Sequence, residues 1–231
     1  CKNFYNWISN HPSIWSTLEF EDIQQFSNFI LSHKEKLFFV KILIDDNRFH
    51  YETKENRYII SEYQYYISEY SKYLTSLIQL KWSIWKNENF YKISNLTNLQ
   101  GLHIGYCKLK NLDGISQITN LKKLYLRECY NLQNIDALIN CTGLNELLLN
   151  GYLKLQNLNG LSKYTNLRKL ILNSCETLQN VDELISCTNL TKIELSNCSN
   201  LQNLDGIRNF TNLKRMKLGS CEKIQNLNNL S

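Results

Sequence analysis

The chain has 231 residues, 43% of them hydrophobic, with 26 Lys+Arg against 21 Asp+Glu and a formal net charge of +5. That is enough for a large core, and no stretch approaches the roughly 18 uninterrupted apolar residues of a membrane span. The four histidines, His11, His33, His50 and His103, are scattered without a spaced carboxylate or a nucleophile motif, and no glycine-rich phosphate loop occurs. This argues against an enzyme and implies no cofactor and no metal.

Residues 1–20 open the chain. Phe4, Tyr5 and Ile8 share one helical face, and Pro12 ends that helix because proline disfavours a helical residue before it. Trp15 follows. Cys1, Lys2, Phe4 and Tyr5 match a Cys-Lys/Arg-x-Trp/Phe-Tyr helix, and Pro12 and Trp15 match the Pro-x-x-Trp anchor after it. In this the segment resembles the back half of an F-box. The resemblance implies an F-box remnant over 1–20 whose adaptor-gripping helices lie upstream, with a Skp-type adaptor as partner of the complete protein. The residues alone also fit a plain amphipathic cap helix. Because the sequence opens on Cys1 and stops at Ser231 inside a repeat, it is expected to be a piece of a longer protein.

In residues 21–74, Ile23, Phe26, Phe29 and Ile30 recur at helical spacing behind Glu21 and Asp22, acids that favour a helix N-terminus, so a short helix is predicted over 21–32. Leu37-x-x-Val40-x-Ile42 reads as an isolated strand, with Asp45-Asp46-Asn47 as the turn after it. Tyr63, Tyr66, Ile67, Tyr70 and Leu74 then fall at i, i+3, i+4, i+7 and i+11, predicting a second helix on the convex side. Its tyrosines are accounted for by aromatic packing with wet hydroxyls. Residues 21–74 are thus expected to form an irregular, helical cap.

From residue 75 to the end one unit recurs seven times, in its fullest form Thr-Asn-Leu-x-x-Leu-x-Leu-x-x-Cys-x-x-Leu-Gln-Asn-Leu-Asp-Gly-Leu. Its phase is set by Thr75, Thr97, Thr119, Thr142, Thr165, Thr188 and Thr211, at steps of 22, 22, 23, 23, 23 and 23. Such a period means an array. Within a unit the apolar residues fall two or three apart, as in Leu121, Leu124, Leu126, Cys129, Leu132, Ile135, Leu138 and Cys141. Neither a helix nor a flat strand gives those gaps. They suit a coil winding around one apolar axis. The motif Leu-x-x-Leu-x-Leu-x-x-Cys/Asn resembles that of the leucine-rich repeats over about two thirds of the chain. The fold expected is therefore α/β: a solenoid with a parallel concave sheet, short turns or 3-10 segments on the convex side, and a helical N-terminal cap. Asp113, Asp136, Asp182 and Asp205, each before a residue that is often Gly, suggest Asx turns there. Units ending in Cys141 and Cys187 alternate with units ending in Ile118, Tyr164 and Phe210, which implies a duplicated pair of about 46 residues.

Of eight cysteines, Cys107, Cys129, Cys175, Cys198 and Cys221 occupy one place in the repeat, with Tyr152 taking the sixth. They should stack as a ladder of structural thiols, since no C-x-x-C spacing exists and the separations are those of the repeat. Buried thiols in such numbers suit a reducing, cytoplasmic compartment. Asn-x-Ser/Thr sequons, such as those at Asn95, Asn140 and Asn197, are explained by the 31 asparagines in the chain. Residues 1–74 carry 8 basic and 10 acidic residues, while 75–231 carry 18 and 11, so the array is mildly basic. It lacks the dense basic run with interleaved aromatics of a nucleic-acid binder, and a protein partner with an acidic surface fits better.

The binding surface should be the concave sheet, where residues flanking the inward leucines project. Tyr125, Leu148 and Ile171 then make an apolar strip on consecutive strands. Lys123, Lys169, Lys192 and Arg215 form a broken basic column beside it, with Glu146 and Arg127 nearby. Two functions compete. The resemblance implies the substrate receptor of a Skp-cullin-F-box ubiquitin ligase, with the solenoid holding a protein substrate. The other is a stand-alone recognition or effector module with no ubiquitin link.

Overall fold

The computed structural model describes residues 43–45, 79–82, 90–151 and 154–224. The F-box-like segment, with Phe4, Tyr5, Pro12 and Trp15, and both expected cap helices lie outside the described residues. Among those described, eight strands form one parallel sheet in chain order: β1 (Leu43–Asp45), β2 (Gln79–Trp82), β3 (Gly101–Ile104), β4 (Lys123–Arg127), β5 (Glu146–Asn150), β6 (Lys169–Asn173), β7 (Lys192–Ser196) and β8 (Arg215–Gly219). From β2 onward every strand starts four residues after a phase-setting threonine. β1 differs from expectation. It takes in Asp45, which the sequence assigned to a turn, because pairing with β2 fixes its register at Leu43↔Gln79, while the Leu37–Ile42 signature lies outside the described residues.

The sheet is the concave layer of the solenoid, and its register stacks like on like. Leu102, Leu124, Leu147, Leu170, Ile193 and Met216 form one column through five successive pairings. In the rung that begins at Thr119, all eight positions expected to face the axis, Leu121 to Cys141, are fully buried. Truncating any one such leucine to alanine costs about 2–5 kcal/mol. Core and sheet therefore come from one periodic pattern.

After each concave strand from β3 to β8 the chain turns at a left-handed residue: Tyr106 (φ 43°), Glu128 (53°), Gly151 (82°), Ser174 (58°), Asn197 (55°) and Ser220 (50°). Left-handed backbone costs an ordinary residue roughly 1–2 kcal/mol. The turn is offset by a repeated hydrogen bond, in which the N–H of Tyr106, Glu128, Gly151, Ser174 and Asn197 donates to the last residue of the next strand at 2.7–2.9 Å. It also sends the following residue inward, which builds the cysteine ladder. Cys198 Sγ lies 3.6 Å from the Ser196 carbonyl, and Cys221 Sγ lies 3.5 Å from that of Gly219. The sequence predicted free thiols throughout this ladder, and the structure departs from that at one rung. Cys107 and Cys129 form a disulfide with Cα atoms 4.5 Å apart. Like-on-like stacking brings them to the short end of the roughly 4.4–6.8 Å that a disulfide spans. Cys175 and Cys198 are free and buried, and Cys221 is free and partly exposed. Tyr152 lies outside the described residues.

Among the described residues the convex side carries single 3-10 turns, as the spacing predicted for the array: Tyr91–Ile93, Ile115–Gln117, Asp136–Asn140, Asn159–Leu161, Asp182–Ser186 and Asp205–Ile207. Their Asx turns are closed one step earlier than expected. Asn111, Asn134, Asn157, Asn180 and Asn203 accept, through Oδ1, the backbone N–H two residues on, which Asp113, Asp136, Asn159, Asp182 and Asp205 supply. A second set of asparagines binds rung to rung, with Nδ2 of Asn120, Asn166, Asn189 and Asn212 donating to the Thr97, Thr142, Thr165 and Thr188 carbonyls.

The 46-residue alternation has a steric basis. Five-residue turns at 136–140 and 182–186 are each followed by a three-residue turn carrying Gly160 or Gly206. A Cβ on Gly160 would stand 2.0 Å from the Ile135 carbonyl oxygen, and one on Gly206 would stand 1.8 Å from that of Val181. Between two small residues of the next column, Cys141 and Cys187, fits the fully buried Tyr164, whose hydroxyl donates to the Leu138 carbonyl at 2.5 Å. Gly206→Ala should therefore cost about 2–3 kcal/mol, read as a drop of roughly 5–10 °C in Tm. Gly143→Ala, whose Cβ meets nothing closer than 3.7 Å, should leave Tm unchanged or slightly raised.

Candidate functional site

Three columns of side chains face out from the concave sheet. Register places Gly101, Lys123, Glu146, Lys169, Lys192 and Arg215 in the first, and His103, Tyr125, Leu148, Ile171, Glu194 and Lys217 in the second. The third holds Arg127, Asn150, Asn173, Ser196 and Gly219. All nine residues expected at the site thus share one face. Tyr125, Leu148 and Ile171 do occupy consecutive strands, and each is half-buried.

The basic column is less free than its sequence implied. Glu146 stands between Lys123 and Lys169, pairing with their ammonium groups at 2.7 Å and 3.4 Å. It also accepts the Tyr125 hydroxyl proton through Oε2. Burial alone would raise the Glu146 carboxyl, but the hydrogen bonds from Lys123 and Tyr125 and the charges of Lys123 and Lys169 outweigh it and hold the pKa at about 2. Tyr125 moves the other way, its phenol pushed well up by burial, then by its bond to Glu146 and that group's charge. Lys169 also sits 5.8 Å from the Tyr125 ring centroid, within reach of a cation–π contact. Farther along, Glu194 pairs with Lys192 at 3.4 Å and Lys217 at 3.0 Å. From β4 to β8 the three columns carry six basic side chains against these two carboxylates, so the face stays positive after its internal pairs are made.

Two features escaped the sequence reading. His103 packs on Tyr125 with ring centroids 4.2 Å apart and planes tilted by 48°, extending the second column by one rung. It holds Tyr125's repeat position one unit earlier, a signal that was present. The second feature is in the third column, where Asn173 Oδ1 and Ser196 Oγ, neighbours on adjacent strands, are buried without a hydrogen-bond partner. Among the described residues no cluster of His, Cys, Asp and Glu could hold a metal ion, and no helix is long and apolar enough to cross a membrane.

A family model for leucine-rich repeats, in two copies, matches residues 97–140. These are leucine-rich repeats. They are generally non-catalytic modules that bind proteins. Among solved structures, internalin C2 from Listeria monocytogenes is similar at 22% identity and a TM-score of 0.60, covering 71% of this chain and 70% of its own. The leucine-rich repeat domain of the type III effector XopL is similar at 16% identity and a TM-score of 0.54, covering 87% of each chain. At these identities the likeness establishes the fold: a leucine-rich-repeat solenoid. The curated proteins give no match.

The Glu146 cluster has a pH signature. Its carboxyl is depressed in the fold from an ordinary value of 4.5 to about 2, so its contribution to stability is complete above about pH 4.5 and is lost as pH falls toward 2. Thermal melts of Glu146→Gln and the parent should differ at pH 6 in the parent's favour, and the gap should close between pH 4.5 and 2. A gap that stays constant over that window would show that the three donors do not hold Glu146 ionised.

Proposed function

We propose that this protein is a recognition module that captures an acidic protein surface on its concave sheet. What supports this is the second column. Tyr125, Leu148 and Ile171 make an apolar strip one strand apart, flanked by cations, on a face where polar side chains would be accommodated at no energetic cost. Apolar and aromatic anchors ringed by charge have the make-up of a binding hot spot. Glu146 sets the geometry of the flank, locking Lys123, Tyr125 and Lys169 in place before a partner arrives, which reduces the ordering cost of binding. Lys192, Arg127 and Arg215 supply the charge that meets the partner's carboxylates. Such steering weakens with added salt.

A finer assignment rests on Phe4, Tyr5, Pro12 and Trp15. We read the complete protein as the substrate receptor of a Skp-cullin-F-box ubiquitin ligase, in which the solenoid holds the substrate and the upstream F-box half holds a Skp-type adaptor. Co-purification of that adaptor with the full-length protein tests it. Failure would leave the stand-alone recognition module.

The concave assignment is tested by Tyr125→Ala with Leu148→Asp. Partner capture should fall at least 30-fold, the loss of a hot spot worth about 2 kcal/mol. The melt should drop by only about 2–4 °C, because Tyr125 gives up its bond to Glu146 and its contact with His103 but neither side chain belongs to the core. Lys163→Glu, on an exposed residue away from the concave strands, should bind as the parent does. If that substitution is the one that breaks capture, the partner sits elsewhere.

A further inference from the structure

We infer that the concave face takes an amphipathic α-helix lying along the solenoid axis, acidic on one flank and amide- or hydroxyl-bearing on the other. This rests on the concave-face reading and specifies its occupant. The argument begins with spacing. The anchors Tyr125, Leu148 and Ile171 sit on three consecutive strands, and strands lie about 4.8 Å apart, so the strip spans about 9.6 Å. An α-helix advances about 5.4 Å per turn, so side chains at i, i+3 or i+4, and i+7 span about 10.5 Å on one face. One helical turn therefore falls over each rung, with a mismatch near 1 Å across the strip. An extended peptide places same-side residues about 6.7 Å apart and would overrun the strip by about 4 Å by the third anchor. Width agrees as well. Five-residue strands such as β4 to β7 are about 13 Å from first to last residue, enough to seat a helix about 10–12 Å across.

The flanks fix how that helix is turned. On the side of the first column stand Lys123, Lys169 and Lys192, of which Lys169 and Lys192 are direct neighbours with like charge. Carboxylates one turn apart along the partner would relieve that repulsion. On the other side stand Arg127, at the end beside Tyr125, and then Asn150, Asn173 and Ser196, and the Asn173 Oδ1 and Ser196 Oγ atoms have no partner within the fold. A buried polar atom left unpaired is costly, and a Gln, Asn or Ser on the facing flank of the helix can supply the missing partners once these side chains turn outward. The apolar run is closed by His103 and Tyr125 at one end and by Glu194, held by Lys192 and Lys217, at the other. Two to three helical turns fill that interval.

Selection from two displayed peptide libraries tests the inference. One is randomised on a single face of a constrained helix, and the other is an extended, proline-interrupted library of matched composition. Both are panned on the 231-residue protein, and clones are ranked by their loss of binding to Leu148→Asp, with the variant's fold checked by circular dichroism. The expected result is Leu148-dependent clones from the helix library, with apolar residues at i, i+3 or i+4, and i+7 and Asp or Glu along one flank. Lys192→Glu should weaken them about tenfold or more. Leu148-dependent clones from the extended library alone would overturn the helical occupant while leaving the concave face as the binding surface. Helical clones with no acidic flank, or unaffected by Lys192→Glu, would overturn the charge assignment. An absence of Leu148-dependent clones from both libraries would overturn the inference and the concave reading together.

Discussion

Every rung repeats its neighbour at the distance of a β-ladder, so whatever residue occupies a position must tolerate its own kind stacked directly above and below. That constraint explains the choices along the chain. Leucine on leucine fills the axis without a polar atom to satisfy. In the rung that begins at Thr119 asparagine serves twice, closing a turn through the Asn134 oxygen and reaching the preceding rung's Thr97 carbonyl through the Asn120 nitrogen. Cysteine at the strand end is small enough to stack and has a polarisable sulfur that lies close to strand-end carbonyls. Among the described residues Cys107 and Cys129, identical positions on neighbouring rungs with Cα atoms 4.5 Å apart, are joined covalently.

The same rule is dangerous on the surface, where stacked like charges repel. Lysine recurs at the first concave position of β4, β6 and β7, and arginine follows on β8. Two glutamates temper this from different columns. Glu146 replaces a lysine in the first column and ties Lys123 to Lys169, while Glu194 sits in the second and ties Lys192 to Lys217. The repulsion is reduced and the ammonium groups are held in fixed places. The face keeps a net positive charge.

The rung architecture was plain in the sequence because burial at every second or third residue is a direct image of a coil around an axis, and all eight positions named for one rung are buried. The columns at the candidate site followed from the same phase, so Tyr125, Leu148 and Ile171 could be placed on neighbouring strands from the repeat alone. Pairing within the face could not. Nothing in the spacing of Glu146 says that Lys123, Lys169 and Tyr125 all turn toward it, since that depends on rotamers across strands. The left-handed turns were also hidden. Only Gly151 and Asn197 are residue types that take that conformation readily, and Tyr106, Glu128, Ser174 and Ser220 adopt it because the sheet fixes the strand on one side and the apolar axis fixes the next residue on the other. The Asx turns went astray for a simpler reason: Asn and Asp two residues apart offer the same chemistry, and only geometry decides which of them closes the loop.

Close seating of Gly160 on Ile135, and of Gly206 on Val181, joins rungs into couples. Tyr164, lodged between the small Cys141 and Cys187 of the rungs on either side, keeps neighbouring couples in step. The natural unit of growth in this array is therefore two turns of the coil. A gene that lengthened by a single repeat would set a glycine turn against another glycine turn, or one bulky ring against the next, whereas duplication of a whole couple would reproduce every contact. Lineages descended from such a chain should accordingly differ in length by about 46 residues more readily than by 23.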